Sequence, residues 1–202
     1  MLRQSKNKFI LGITGNIGCG KSTVARLFET KDSLLIDADK IAHKFFSTEN
    51  RVYKKIKKYF GKTVLKKNNR IDRKKLAEIV FSDKKSLAQL NRIVHPEVIR
   101  EIKRRISNTH KKIIILDAAL LVEAGLTGMV DKLVVVTAKK EQQFLRSRKG
   151  AGFGRNQVAL RMKFQISQKK KADFANFIID NRGSIKQTKK QVLQIRRKLW
   201  KS

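Results

Sequence analysis

The sequence predicts an α/β fold in which a parallel five-stranded sheet is flanked by helices and carries two helical additions, an insertion and a lid. Three observations predict it. Short apolar runs rich in β-branched residues recur along the chain with helical stretches between them. The first run feeds a glycine-rich turn that opens directly into a helix. Residues 41–110 then show helical periodicity and no strand pattern.

Phe9 to Thr14 ends beside glycine and reads as a buried strand, and Lys21 to Glu29 follows with Val24, Leu27 and Phe28 at helical spacing. Ser33 to Asp37 is a second run of strand length, after which Ile41, Ala42, Phe45 and Phe46 share one helical face. Two strands joined through a helix imply a right-handed parallel crossover. In the insertion, Val52, Ile56, Tyr59 and Phe60 form one apolar stripe, Leu76, Ile79 and Val80 a second, and Leu87, Leu90 and Val94 a third. Pro96, the single proline, is expected where a helix begins, with His95 before it as the cap. The sheet resumes at Lys112 to Asp117 and Lys132 to Ala138, runs suited to strands buried on both faces. Glu141 to Lys171 is basic and helical, and Gly150, Gly152 and Gly154 within it predict a hinge. Phe177 to Asp180 is a short last strand, and Lys186 to Trp200 a closing helix with Val192, Ile195 and Leu199 on its apolar side.

Composition bounds the rest. A chain of 202 residues fits one domain with small insertions, and 41% hydrophobic residues suffice for a core. The longest apolar runs fall far short of the roughly 18 residues needed to cross a bilayer, so no membrane partner is expected. The first residues, MLRQSKNKFILGITG, lack the continuous apolar region of a secretory signal and read as a charged leader into the first strand. A single cysteine, Cys19, excludes an intrachain disulfide framework and a multi-cysteine metal site, which fits a reducing cytoplasm. The net charge of +33 favours polyanions, and weak nonspecific association with nucleic acid is expected from it. Basic residues nevertheless occur throughout the chain, as solvated helix faces do. A monomer or small homo-oligomer is expected.

The motif that carries chemistry is Gly15-Asn16-Ile17-Gly18-Cys19-Gly20-Lys21-Ser22, which fits G-x-x-x-x-G-K-[ST] between a strand and a helix. Such a loop turns consecutive N–H groups toward phosphate oxygens, and the helix N-terminus adds positive potential. Lys21 is placed to reach the β- and γ-phosphates of ATP, and the Ser22 hydroxyl to ligate Mg2+. Asp37 and Asp39 close the second strand, where residues two apart on an extended segment share a face. One can orient and deprotonate an attacking hydroxyl while the other holds magnesium through water, or Asp39 can cap the next helix. Asp117 ends the third strand and either holds magnesium through water or serves structure. His95 reads as a cap, a substrate-positioning residue or a catalytic base. Arg146 and Arg148 precede the glycine-rich break, as arginines of a mobile lid do, or they are solvated helix charges.

The order of motifs resembles the dephospho-CoA kinase family over nearly the whole chain: GITGNIGCGKSTVARLF at 12–28, IDADKIAH at 36–43, FGKTVLKKNNRIDRKKLAEIVFSD at 60–83, LNRIVHPEV at 90–98, LLVEAGL at 120–126, Gln143 with Arg146, Gln165, Ala172-Asp173 and IIDNRGS at 178–184. The resemblance implies transfer of the ATP γ-phosphate to the 3′-hydroxyl of dephospho-CoA, the last step of coenzyme A synthesis. It implies a P-loop nucleotide-binding core at 1–40, 111–140 and 171–202, an acceptor-binding region at 41–110 and a lid at 141–170. By the same resemblance Asp39 is the base, and Gly15 to Thr23 bind ATP with Arg146, Asn181 and Gly183. His95, Leu120, Leu121 and Glu123 join Asp39 on the acceptor side. The sequence departs from the family's pattern in two places: Ala119 stands where a proline usually opens Pro-Leu-Leu-Phe-Glu, and Gly150 where a second lid arginine is usual. Other readings of the residues are a nucleoside, nucleotide or shikimate-type kinase, and a basic nucleic-acid-binding P-loop protein.

Overall fold

In the computed structural model, which describes residues 8–46, 50–151 and 154–200, the chain forms two units. One is built from Met1–Asp37 with Asn108–Ser202, the other from Ala38–Ser107. The charged leader expected at residues 1–7 and the hinge glycine Gly152 lie outside the described residues.

The first unit is organised by a sheet of β1 (Phe9–Thr14), β2 (Ser33–Asp37), β3 (Ile113–Asp117), β4 (Lys132–Thr137) and β5 (Phe177–Asp180). The strand order is β2-β3-β1-β4-β5 and every pairing is parallel. β1 is the central strand, and Leu11 and Ile13 on it are fully buried, which is why its sequence is an apolar run rather than an alternation. Register places Ile13 opposite Asp117 and Asp37 opposite Asp117, so β1, β2 and β3 deliver their carboxyl ends to one edge. In open α/β sheets that edge is where ligands bind.

Helices α1 (Lys21–Phe28) and α9 (Ile185–Leu199) pack against each other, and Phe28 meets Trp200 edge-on at 6.1 Å. Val24, Ala25 and Phe28 of α1 join Val192 and Ile195 of α9 in one buried cluster with the strands. Ser184 caps α9 through the Gln187 N–H. Between β4 and β5 run α6 (Lys140–Ala151), α7 (Arg155–Phe164) and α8 (Gln168–Ala172). Helix α6 continues through Gly150, so the expected interruption there does not occur. Gly154 instead stands at the N-terminus of α7.

The second unit is helical, as its periodicity predicts: α2 (Ala38–Phe45), α3 (Arg51–Phe60), α4 (Arg73–Ser82) and α5 (Lys84–Ser107), with one 3-10 turn at Lys62–Val64. Helices α2, α3 and α4 each pack on α5. The Asn50 carboxamide starts α3 by accepting the N–H groups of Val52 and Tyr53, at 2.8 and 3.0 Å. Pro96 does not open a helix. It lies inside α5, and His95 is an interior residue rather than a cap. The start signal is Asp83, whose carboxylate accepts the N–H groups of Lys85 and Ser86 at 3.2 and 2.7 Å. An internal proline costs a helix about 3 kcal/mol. The helix runs on because Ile93 and Val94 before it and Val98 and Ile102 after it are all buried.

Candidate active site

The glycine-rich loop leaves β1 at Thr14 and turns into α1 at Lys21. The Cys19 N–H donates to the Asn16 carbonyl at 3.1 Å, and the Gly20 carbonyl accepts from Thr23 and Val24, both at 3.1 Å, so the helix begins inside the motif. Gly18 and Gly20 have φ of 73° and 89°, a left-handed conformation that side chains resist. Space forbids a side chain as well. A Cβ on Gly18 would strike the Gln143 carbonyl oxygen, and one on Gly20 the Asn181 amide nitrogen. The loop is thus pressed against α6 on one side and the end of β5 on the other.

Its outer edge is held by hydrogen bonds. The Cys19 carbonyl accepts Asn181 Nδ2 at 2.8 Å and Arg146 Nη1 at 3.4 Å, while Arg146 Nη2 donates to the Asn181 carbonyl at 3.0 Å. Thr188, buried on α9, orients Asn181 by donating to its Oδ1 at 2.8 Å. The Ile17 N–H donates to Gln165 Oε1 at 3.0 Å. Arg146 and Asn181 therefore meet the P-loop backbone directly. Gly183 is exposed in the turn before α9. Cys19 is fully buried, and burial pushes its thiol up to about 11, against the lowering effect of Lys21. That is the opposite of an activated nucleophile.

Across the edge, Lys21 Nζ lies 3.7 Å from Asp117 Oδ1, and the Asp117 side chain is only 2% exposed. Asp37 stands on the neighbouring strand in register with it. Asp39 is placed differently from the sequence expectation. The strand ends at Asp37 and α2 begins at Ala38, so Asp39 sits in the first turn of a helix and the period-two argument for a shared face with Asp37 does not apply. In the second unit, burial lowers the pKa of His95, favouring the neutral ring.

Residues 119–123 follow β3. The Ala119 carbonyl accepts both Thr14 Oγ1 at 3.2 Å and Lys171 Nζ at 2.6 Å, so donors fix the bend that has no proline. Lys171 also pairs with Glu123 Oε1 at 3.1 Å, and that oxygen accepts the Ile166 N–H at 3.1 Å. Leu121, assigned by resemblance to the acceptor, is fully buried beside Gly12 of β1 and belongs to the core. Leu120 is half-buried. Sequence reasoning missed Lys171, because nothing in the run Lys169-Lys170-Lys171 distinguishes the buried member from its solvated neighbours. It also missed Thr188, a small polar residue at a buried position of a basic helix.

The oxygen donors at this edge suit magnesium. Ser22 lies in the first turn of α1, and Asp117 and Asp37 end their strands. Among the described residues no group of three or more His, Cys, Asp or Glu side chains converges as a metal cage. Magnesium is commonly held by one or two protein ligands together with substrate phosphates and water, which this set can supply.

A model of the dephospho-CoA kinase family matches residues 9–187. Among similar proteins, a dephospho-CoA kinase of Aquifex aeolicus is 42% identical over 186 residues, covering 92% of this chain and 94% of its own. One of Carboxydothermus hydrogenoformans is 40% identical over 195 residues, covering 95% of this chain and 94% of its own. The solved dephospho-CoA kinase of Campylobacter jejuni superposes with a TM-score of 0.60 at 28% identity, covering 96% of this chain and 99% of its own. With a P-loop on the central strand of a parallel sheet and a family match that spans the catalytic edge and the helical insertion alike, the chain belongs to the dephospho-CoA kinase family.

Proposed function

We propose that this protein transfers the γ-phosphoryl group of ATP to the 3′-hydroxyl of dephospho-CoA, giving coenzyme A and ADP. The observation that carries the reading is the family match over residues 9–187, which includes the P-loop, Asp39 and the Arg146 helix in one chain. Phosphoryl transfer passes through a loose transition state, so the protein's work is placement and neutralisation of charge. Lys21 and the N–H groups of the loop supply that field to the phosphates. Magnesium brought in with ATP would neutralise phosphate charge, and Ser22 with Asp117 or Asp37 would hold it. Asp39 orients the acceptor hydroxyl and takes its proton. Arg146 and Asn181 serve the ATP side by fixing the Cys19 carbonyl. Leu120, Glu123 and His95 serve the acceptor side.

The test is ATP- and magnesium-dependent phosphorylation by the purified protein of dephospho-CoA beside adenosine, AMP and shikimate, with Lys21→Ala as the blank. Coenzyme A formed from dephospho-CoA alone, and absent in the blank, is the expected result. A faster reaction with another of the alcohols would reassign the acceptor and leave the P-loop kinase chemistry standing.

No helix among the described residues is long and apolar enough to cross a membrane, and a cytoplasmic site of action fits a chain whose one cysteine is a buried free thiol. Weak association with nucleic acid is a second property that the charge supports. From Arg51 to Lys75, twelve of the residues are Lys or Arg and one is acidic, and every basic one except Lys57 is exposed. Such binding would weaken steeply with added salt. A mobility shift that is absent at low ionic strength, or indifferent to salt, would count against it.

A further inference from the structure

We propose that Lys171 is a positioning residue for the acceptor, holding residues 119–123 in register with the P-loop through a buried ion pair with Glu123. The proposal rests on the dephospho-CoA kinase reading above.

Among the described residues the buried charged side chains are Asp117 and Lys171. Asp117 faces the P-loop lysine. Lys171 is fully buried, and its side-chain hydrogen bond and its ion pair both go to one short stretch: the Ala119 carbonyl at 2.6 Å and Glu123 Oε1 at 3.1 Å. These contacts close a circuit. Thr14 Oγ1 donates to the Ala119 carbonyl at 3.2 Å, Lys171 bridges Ala119 to Glu123, Glu123 accepts the Ile166 N–H at 3.1 Å, and the Ile166 carbonyl accepts Asn16 Nδ2 at 3.2 Å. Thr14 and Asn16 flank the first glycine of the phosphate loop. The stretch assigned to the acceptor is therefore tied at both ends to the strand and loop that carry ATP, and Lys171 is the link between those ends.

Stability alone does not account for such a link. Burying an ammonium and a carboxylate costs about as much as their attraction returns, and apolar replacements of buried pairs are often neutral or stabilising. Desolvation lowers the Lys171 pKa, and Glu123 opposes that lowering. What the pair supplies is direction. An ammonium held to a carbonyl and a carboxylate at once fixes the distance between residues 119 and 123, which apolar packing of the same volume would leave adjustable. In-line transfer tolerates little displacement, and an error of about 1 Å can cost on the order of a hundredfold in rate.

The experiment uses the full chain and measures kcat and KM for dephospho-CoA and for ATP, together with thermal melting. The variants are Lys171→Met, Lys171→Arg, Glu123→Gln and the Lys171→Met, Glu123→Gln double. Expected is a rise of at least about tenfold in the dephospho-CoA KM for Lys171→Met, with the ATP KM within about twofold. The Arg variant should recover part of that loss. The double should be no more than about threefold worse than Glu123→Gln alone, because Lys171 acts through Glu123. If Lys171→Met fails to fold, the double removes the unpaired buried carboxylate, and its comparison with Glu123→Gln decides the question. The proposal is overturned if folded Lys171→Met keeps a normal acceptor KM, if the ATP KM rises equally, or if the two losses multiply in the double. A wild type that forms no coenzyme A refutes the activity reading, and the proposal with it. An active wild type with a normal Lys171→Met variant refutes the positioning role alone.

Discussion

Lys21 Nζ stands 3.7 Å from Asp117 Oδ1 at the carboxyl edge of the sheet, and the carboxylate is almost wholly withdrawn from solvent. The P-loop lysine is thus held by a buried charge on the adjacent strand. On the proposed mechanism Lys21→Ala removes the charge assigned to the transition state, and kcat should fall by at least about a hundredfold. Asp117→Asn keeps the shape but loses the charge, and a fall of about tenfold or more in kcat is expected. Steady-state kinetics at saturating ATP and magnesium checks both.

Asp39→Asn should lower kcat by at least about a hundredfold while nucleotide affinity stays near normal, because the amide keeps the volume and cannot take a proton. Calorimetric binding of a non-hydrolysable ATP analogue separates the two effects. A near-normal rate would remove Asp39 from the chemistry.

Two glycines with similar φ should respond differently to alanine. Gly18 has φ 73° with the Gln143 carbonyl pressed against it, whereas Gly61 has φ 77° and open space around it. Gly61→Ala should cost about 1 to 3 kcal/mol, the penalty of its positive φ with an extended ψ of −171° alone. Gly18→Ala should cost more and weaken ATP binding at least about tenfold, since loop or helix must move. Denaturant unfolding and nucleotide titration test the pair.

Pro96→Ala should stabilise the helical unit by about 1 to 3 kcal/mol, because alanine restores the N–H that proline lacks inside α5. A raised thermal midpoint is the expected outcome. An unchanged or lowered midpoint would mean that the helix has already adapted around the ring.

The Cys19 thiol, raised from 9.0 to about 11 by burial, should resist alkylation near neutral pH until the protein unfolds. Its folded pKa lies above the unfolded one, so the stabilisation linked to the protonated thiol is complete below about pH 9 and is lost as pH rises toward 11. Mass spectrometry of iodoacetamide-treated protein, with and without denaturant, checks the first point. Melting curves between pH 8 and 11 check the second.

The strand β1, the glycine-rich loop after it and α1 are legible because their signals are local. A strand buried on both faces reads as an apolar run, and the loop after β1 has a glycine wherever backbone or neighbour demands one. Strand order was not legible, since each strand is apolar on both sides and nothing in β3 names β1 as its neighbour. Pro96 misdirected the reading of α5, because a proline marks helix starts on average while the burial of Ile93, Val94, Val98 and Ile102 decided this case. The spacing of Asp37 and Asp39 suggests an extended segment because nothing in the sequence marks that the strand ends at Asp37 and a helix begins at Ala38. Lys171 lay in a run of three lysines, and its burial depends on Glu123, 48 positions earlier in the chain.

The hydrogen bond from Asn181 to the Cys19 carbonyl spans 162 positions. The glycine-rich loop is made well before the residue that holds its outer edge. During synthesis the nascent chain would carry a complete motif without a finished cradle until β5 leaves the ribosome. A fragment ending before Asn181 should accordingly keep the motif and bind nucleotide poorly, so that competence for ATP follows the synthesis of β5 and the turn after it.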